Sequence, residues 1–106
     1  MVKVLGQSDE CLEQIRSLFE HSLHGDKRVE CEIFRNGPND VWIRVLDPNY
    51  ADISLFARYI TFWIHIKQLS EQYGMQISRL ILLPPSQVSD WPTSEEFDAK
   101  KPKEGF

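Results

Sequence analysis

A chain of 106 residues with 42% apolar and 26% charged side chains can bury one real core and is too short for several ordinary domains. Its formal net charge of −4 argues against a general nucleic-acid binder, which carries a basic footprint. No apolar run approaches the length that spans a bilayer, and the composition is ordinary for one folded domain.

Residues 2–5 alternate weakly and are expected to form a short strand. Ser8 is placed to cap a helix, with Asp9 and Glu10 at its positive end. Leu12, Ile15, Leu18, Phe19 and Leu23 then recur at helical spacing, and Gly25 supplies the stop. Residues 28–35 alternate, with Val29, Cys31 and Ile33 on one side and Arg28, Glu30, Glu32 and Phe34 on the other. The run Asn36-Gly37-Pro38-Asn39-Asp40 is a turn by composition. Residues 41–46 alternate again, with Val41, Ile43 and Val45 inward and Trp42, Arg44 and Leu46 outward, so the two segments read as an antiparallel hairpin.

Asp47-Pro48 can open the next helix, with Asp52 as a competing cap. Residues 52–73 read as one long helix ending at Gly74, a natural left-handed terminator. At about 100° per residue, Leu55, Tyr59, Phe62, Trp63, Ile66, Leu69 and Tyr73 share one face, which is expected to be the core stripe. A second apolar row, Phe56, Ile60 and Ile64, runs beside it at i, i+4, i+8. That arc is wider than one sheet can cover, so the surplus row is expected to meet the tail, a twin subunit or another protein. Residues 77–83 are almost continuously apolar, the pattern of a central strand buried on both faces, and Pro84-Pro85 ends them.

The order strand–helix–strand–strand–helix–strand suggests a ferredoxin-like βαββαβ two-layer sandwich over residues 1–85, an antiparallel sheet with both helices on one face. Residues 86–106 form an irregular tail in which Thr93-Ser94-Glu95-Glu96 fits a capping box for a single turn around Phe97. Trp91 and Phe97 are expected to fold back and cover part of the Phe56, Ile60, Ile64 row, and the end from Lys100 onward to be mobile.

Chemistry-bearing groups are sparse. His21 and His24 share a side near a helix end, with Glu20 and Asp26 as the nearest further ligands, and read better as dipole-facing surface residues than as a metal site. His65 falls on the polar side of the long helix. Cys11 could be activated by its helix start, but no histidine adjoins it, and both Cys11 and Cys31 read as buried free thiols in a reducing, cytosolic setting. The N-terminus lacks the apolar region of a signal peptide. Gly6-Gln7-Ser8 lacks the glycine spacing of a phosphate loop, and Glu30 and Glu32 have Arg28, Arg35 and Arg44 to pair with.

Phe34, Trp42 and Arg44 share the sheet face away from the helices, where RNA-recognition modules stack bases. The glycines and spaced aromatics of that signature are missing from Asp40-Val41-Trp42-Ile43-Arg44-Val45. A dimeric small-molecule binder or enzyme would need Arg44, Glu32 and Arg79 to converge in a pocket. The leading expectation is a non-enzymatic protein-binding module without cofactor or metal. Its most concrete form is a small acidic inhibitor of the immunity or antitoxin type that blocks the active cleft of a basic partner such as a toxic nuclease. Phe34, Trp42, Arg44, Phe56, Ile60 and Ile64 would be its anchors, and carboxylates including Glu10, Glu13, Asp90, Glu95 and Glu96 would steer the encounter.

Overall fold

A computed structural model describes residues 2–23 and 27–102. The hairpin is where the alternation places it. Strands β2 (Glu30–Gly37) and β3 (Asp40–Leu46) pair antiparallel with Glu32 opposite Arg44 and Phe34 opposite Trp42. β1 (Val2–Val4) lies parallel to β2, and β4 (Ile77–Leu83) lies parallel to β3, so the mixed sheet runs β1-β2-β3-β4. The fold is α+β with a four-stranded sheet and four α-helices among the described residues.

The ferredoxin-like order and the fully antiparallel sheet expected from element sequence are not what the sheet adopts. That order needs a central first strand, and β1 supplies only the pairs Val2–Cys31, Lys3–Glu32 and Val4–Ile33, enough for an edge. Each helical crossover instead returns its strand directly beside the one it left, the plain parallel βαβ arrangement. β4 is likewise an edge strand, not a central one. Its apolar run is explained by cover on both faces, with Leu82 in one core and Ile81 and Leu83 in the other.

The first core lies where expected. Leu12, Ile15 and Phe19 of α1 (Glu10–Leu23) pack with Phe62 and Ile66 of α2 (Leu55–Ile66) on a floor of Val29, Cys31, Ile33, Val41, Ile43 and Val45. The cap of α1 is Asp9 and not Ser8: its carboxylate accepts the Leu12 N–H at 3.0 Å and also meets Arg35 at 2.7 Å. The expected stop at Gly25, with His24 and Asp26, lies outside the described residues.

The tail closes the opposite face. After the turn Pro85–Gln87, helix α4 (Pro92–Lys100) inserts Phe97, fully buried, against Phe34 at a centroid distance of 4.9 Å. Trp91 and Val88 pack beside it. The tail therefore covers the sheet and not the Phe56, Ile60, Ile64 row. A two-layer body with a loose appendage becomes three layers, helices–sheet–helix. Gly6 takes φ +76°, and a Cβ there would stand 2.9 Å from Pro102, so the first loop and the last described residue touch. The end expected to be mobile from Lys100 onward is ordered as far as Pro102, with Lys100 in α4, Lys101 paired with Glu32 and Asp98 and Pro102 against Gly6; residues 103–106 lie outside the described residues.

Arg44 ties this layer down from the middle of β3. Only 4% exposed, it reaches Glu32 at 2.8 Å, Asp98 at 2.9 Å and the Ser94 hydroxyl at 3.0 Å, with its guanidinium 4.5 Å above the Phe97 ring. Burial works against its charge, yet Asp98 and Glu32 outweigh that and hold it above its ordinary value. The reciprocal bond from Arg44 holds the Asp98 carboxyl below the usual carboxylate range, as Arg35 does for Asp9. Both folded values lie below the unfolded value of about 3.9, so their stabilisation is complete above that pH and is lost as pH falls through the folded values. The melting temperature should therefore drop below about pH 4, and drop less over that interval in Asp98→Asn, as read by thermal unfolding across a pH series. Phe97→Ala empties a fully buried aromatic site and should cost about 3–5 kcal/mol in denaturant unfolding, with a red shift of tryptophan emission as Trp42 gains water.

Candidate functional site

The segment between β3 and β4 is not one long helix. Asp47 caps a single tight turn over Pro48–Asp52 by accepting the Asn49 N–H. Ser54 then caps α2 by accepting the Ala57 N–H at 3.2 Å. α2 stops at Ile66, and the chain turns through Leu69 into the short helix α3 (Glu71–Gly74). Gly74 ends that last turn without a left-handed φ, which among the described glycines occurs at Gly6.

Arg58 sets how α2 faces the sheet. It is 6% exposed, and its guanidinium donates to the carbonyls of Ile53 at 3.0 Å, Leu82 at 3.0 Å and Tyr50 at 2.6 Å. The buried stripe is accordingly Arg58, Phe62 and Ile66, spaced i, i+4, i+8, with Phe62 stacked on Phe19 at 5.3 Å. Tyr59 flanks the stripe and donates its hydroxyl to the Leu80 carbonyl at 2.6 Å. The expected core row is thus only partly inward. Leu55 and Trp63 belong to the surface, while Leu69 and Tyr73 pack on the core from the turn and α3.

What this rotation leaves outside is apolar. Phe56 is 76% exposed, Ile64 61%, Trp63 55%, Ile60 44% and Leu55 39%, and Met75 beyond α3 is 75% exposed. From Ile53 to Ile66 the one Asp, Glu, Lys or Arg is Arg58, which points inward. A groove of about 320 Å³ opens where α2 meets α3, lined by Trp63, Ile66, Leu69, Gly74 and Met75 with Lys67, Ser70 and Glu71. The outer face of α2 is therefore a continuous apolar strip free of charge.

The residues expected on an open sheet face are elsewhere employed. Phe34 (1% exposed), Trp42 (4%) and Arg44 lie beneath α4. Trp42 donates its indole N–H to Asp40 at 2.7 Å and carries the Arg79 guanidinium 4.7 Å above its ring. No base or ligand can stack there while α4 is docked. Glu95 is exposed on α4, and Glu96 pairs with Arg79 at 3.1 Å, on the sheet side opposite α2. The structure therefore splits the expected anchors: Phe56, Ile60 and Ile64 stay together outside, and Phe34, Trp42 and Arg44 are interior. Sequence reasoning missed Trp63, Leu55 and Met75: the cap residue Ser70 marks the break that separates Met75 from α2, while Leu55 and Trp63 face outward because Arg58 faces inward.

Among the described residues the other candidate groups form no reactive constellation. Cys11 and Cys31 are free and buried. Burial pushes both thiols upward, so the helix start does not activate Cys11. His65 meets the Ser22 hydroxyl at 3.2 Å, a contact between α2 and α1 instead of a solvated surface position. Among the described residues no three His, Cys, Asp or Glu side chains cluster as a metal site would require, and no helix is long and apolar enough to cross a membrane. Comparison with protein-family models, curated proteins and solved structures finds no significant match. Replacing Arg58 by Met would leave the carbonyls of Tyr50, Ile53 and Leu82 without their donor in a dry site. A loss of about 2–4 kcal/mol is expected in chemical unfolding.

Proposed function

We propose that this chain is a protein-binding module whose working surface is the outer face of α2 with the adjoining α3 groove. One observation carries the reading: a charge-free strip holding Phe56, Ile60, Trp63 and Ile64 remains in water after both cores are filled. Exposed apolar patches of this size on soluble domains mark contact surfaces, and Trp, Phe and Met are enriched at the centres of interfaces. The outer face of α2 itself carries no converging polar groups of the kind a catalytic or small-molecule site requires; Lys67, Ser70 and Glu71 lie in the adjoining groove.

The narrower form, an acidic inhibitor of a basic partner, draws its support from the net charge of −4 and from the small size. In that form α2 is the anchor. The carboxylates at the chain ends act at longer range, several of them already paired: Glu13 with Arg16, Glu96 with Arg79 and Asp98 with Arg44.

The test is capture of binding proteins by a tagged chain, comparing the unaltered protein with Phe56→Glu. The expected result is a protein, whether another polypeptide or an untagged copy of the chain, recovered by the first and lost from the second. The variant should keep its unfolding midpoint, because Phe56 fills no core. Recovery unaffected by Phe56→Glu would remove α2 from the function.

A further inference from the structure

We infer that the partner on the α2 face is a second copy of this chain, packed antiparallel about a two-fold axis that passes beside Ile60. The inference rests on the reading of α2 as a protein-docking surface and adds the identity of the occupant.

Charge is the first argument. The strip itself carries none, so apposing it to itself costs no repulsion despite the net charge of −4. The ionic residues that bracket it in sequence, Asp52 before α2 and Lys67 after it, are both exposed and opposite in sign. Antiparallel packing brings the start of one helix to the end of the other and sets each against its complement. Parallel packing would set like against like.

Pattern is the second. A two-fold beside Ile60 places residues equally spaced on either side of it at the same level on the two helices. Phe56 of one protomer stands level with Ile64 of the partner subunit, and Trp63 stands level with Ala57 of the partner subunit. Large side chains thus meet medium or small ones at these two levels, with Ile60 meeting its own copy on the axis, and such alternation lets two helices approach and interdigitate. Phe56, Ile60, Trp63 and Ile64 follow the i, i+4, i+7, i+8 spacing of a helix–helix seam.

Area is the third. With roughly 150–250 Å² for a fully exposed large side chain, the exposures of Leu55, Phe56, Ile60, Trp63, Ile64 and Met75 amount to roughly 650 Å² of apolar surface. This is just above the roughly 300–600 Å² patch that a monomer usually leaves in water. Complete burial of two such faces would remove at most roughly 1,300 Å² from water, at the lower end of the about 1,200–2,000 Å² of specific interfaces.

Sedimentation equilibrium of the full chain between about 1 and 100 µM tests this directly. The expected mass is twice 12.4 kDa. Ile60→Glu places two carboxylates against each other on the axis and should weaken the dimer at least 100-fold, with cooperative unfolding retained because Ile60 is outside both cores. As a second readout, Ile60→Cys should form an interchain disulfide rapidly on mild oxidation, since the native Cys11 and Cys31 are buried and do not compete. A chain that stays monomeric throughout this range, or a dimer that survives Ile60→Glu, overturns the inference. A monomer whose capture of a different protein is lost in Ile60→Glu overturns the dimer and leaves the protein-docking reading intact. A monomer that binds phosphatidylcholine vesicles through the same face, with no protein captured, overturns both.

Discussion

The grip of Arg58 on three backbone carbonyls decides which way α2 faces, and with it what the molecule shows to its surroundings. A guanidinium taken almost wholly out of water must have its donors met, and Ile53, Leu82 and Tyr50 meet them from the turn before α2 and from β4. The ring of Tyr50, 5.5 Å from the guanidinium carbon, completes its surroundings. Because a helix is rigid in rotation, fixing Arg58 inward fixes Phe62 and Ile66 inward with it. Phe56, Ile60 and Ile64, on the far side of the cylinder, are then committed to the outside.

The other half of the molecule follows a different logic. There the sheet presents Phe34, Trp42, Leu46, Ile81 and Leu83, and one short helix of low apolar content has to cover them. Phe97 supplies the bulk, while Arg44, Ser94, Asp98 and Glu32 supply direction. Lys101 extends the same set, 3.4 Å from Glu32 and 3.2 Å from Asp98. The arrangement is not perfectly satisfied, since Arg44 Nε is buried without a partner. An ionic cluster of this kind gives less net energy than its bond count suggests, and its value lies in holding α4 in a single register over the sheet. With that face closed, the aromatic residues that looked like a stacking platform are ordinary core.

Much of the fold was legible in the sequence because period-two alternation carries its own meaning. Val29, Cys31, Ile33, Val41, Ile43 and Val45 had to face together, and they do. Sheet order was not legible, because alternation says which face a residue takes and nothing about which strand lies alongside. The helix faces were harder. Arg58 looked like solvent by residue type, and only the supply of nearby carbonyls makes it interior. Trp63 looked interior by residue type and is outside because Arg58 holds the rotation. The tail was misread for a related reason: one phenylalanine among serines and charges gives no periodic signal, yet a single fully buried ring and a buried arginine suffice to dock nine residues.

The surplus on α2 cannot be charged to an imperfect core. Both hydrophobic clusters are closed: Leu12, Ile15, Phe19, Ile43 and Leu82 on one side of the sheet and Phe97 on the other have no measurable exposure. Nor is the face a by-product of helix propensity, since isoleucine, phenylalanine and tryptophan are weaker helix formers than the alanine, glutamate or lysine that would serve an exposed position. The chain places Asp, Glu, Lys and Arg freely on α1 and α4 and places none on the outer face of α2. An exposed surface that avoids both good helix formers and charge, in a chain with an ample supply of both, has the composition that the proposed contact would require.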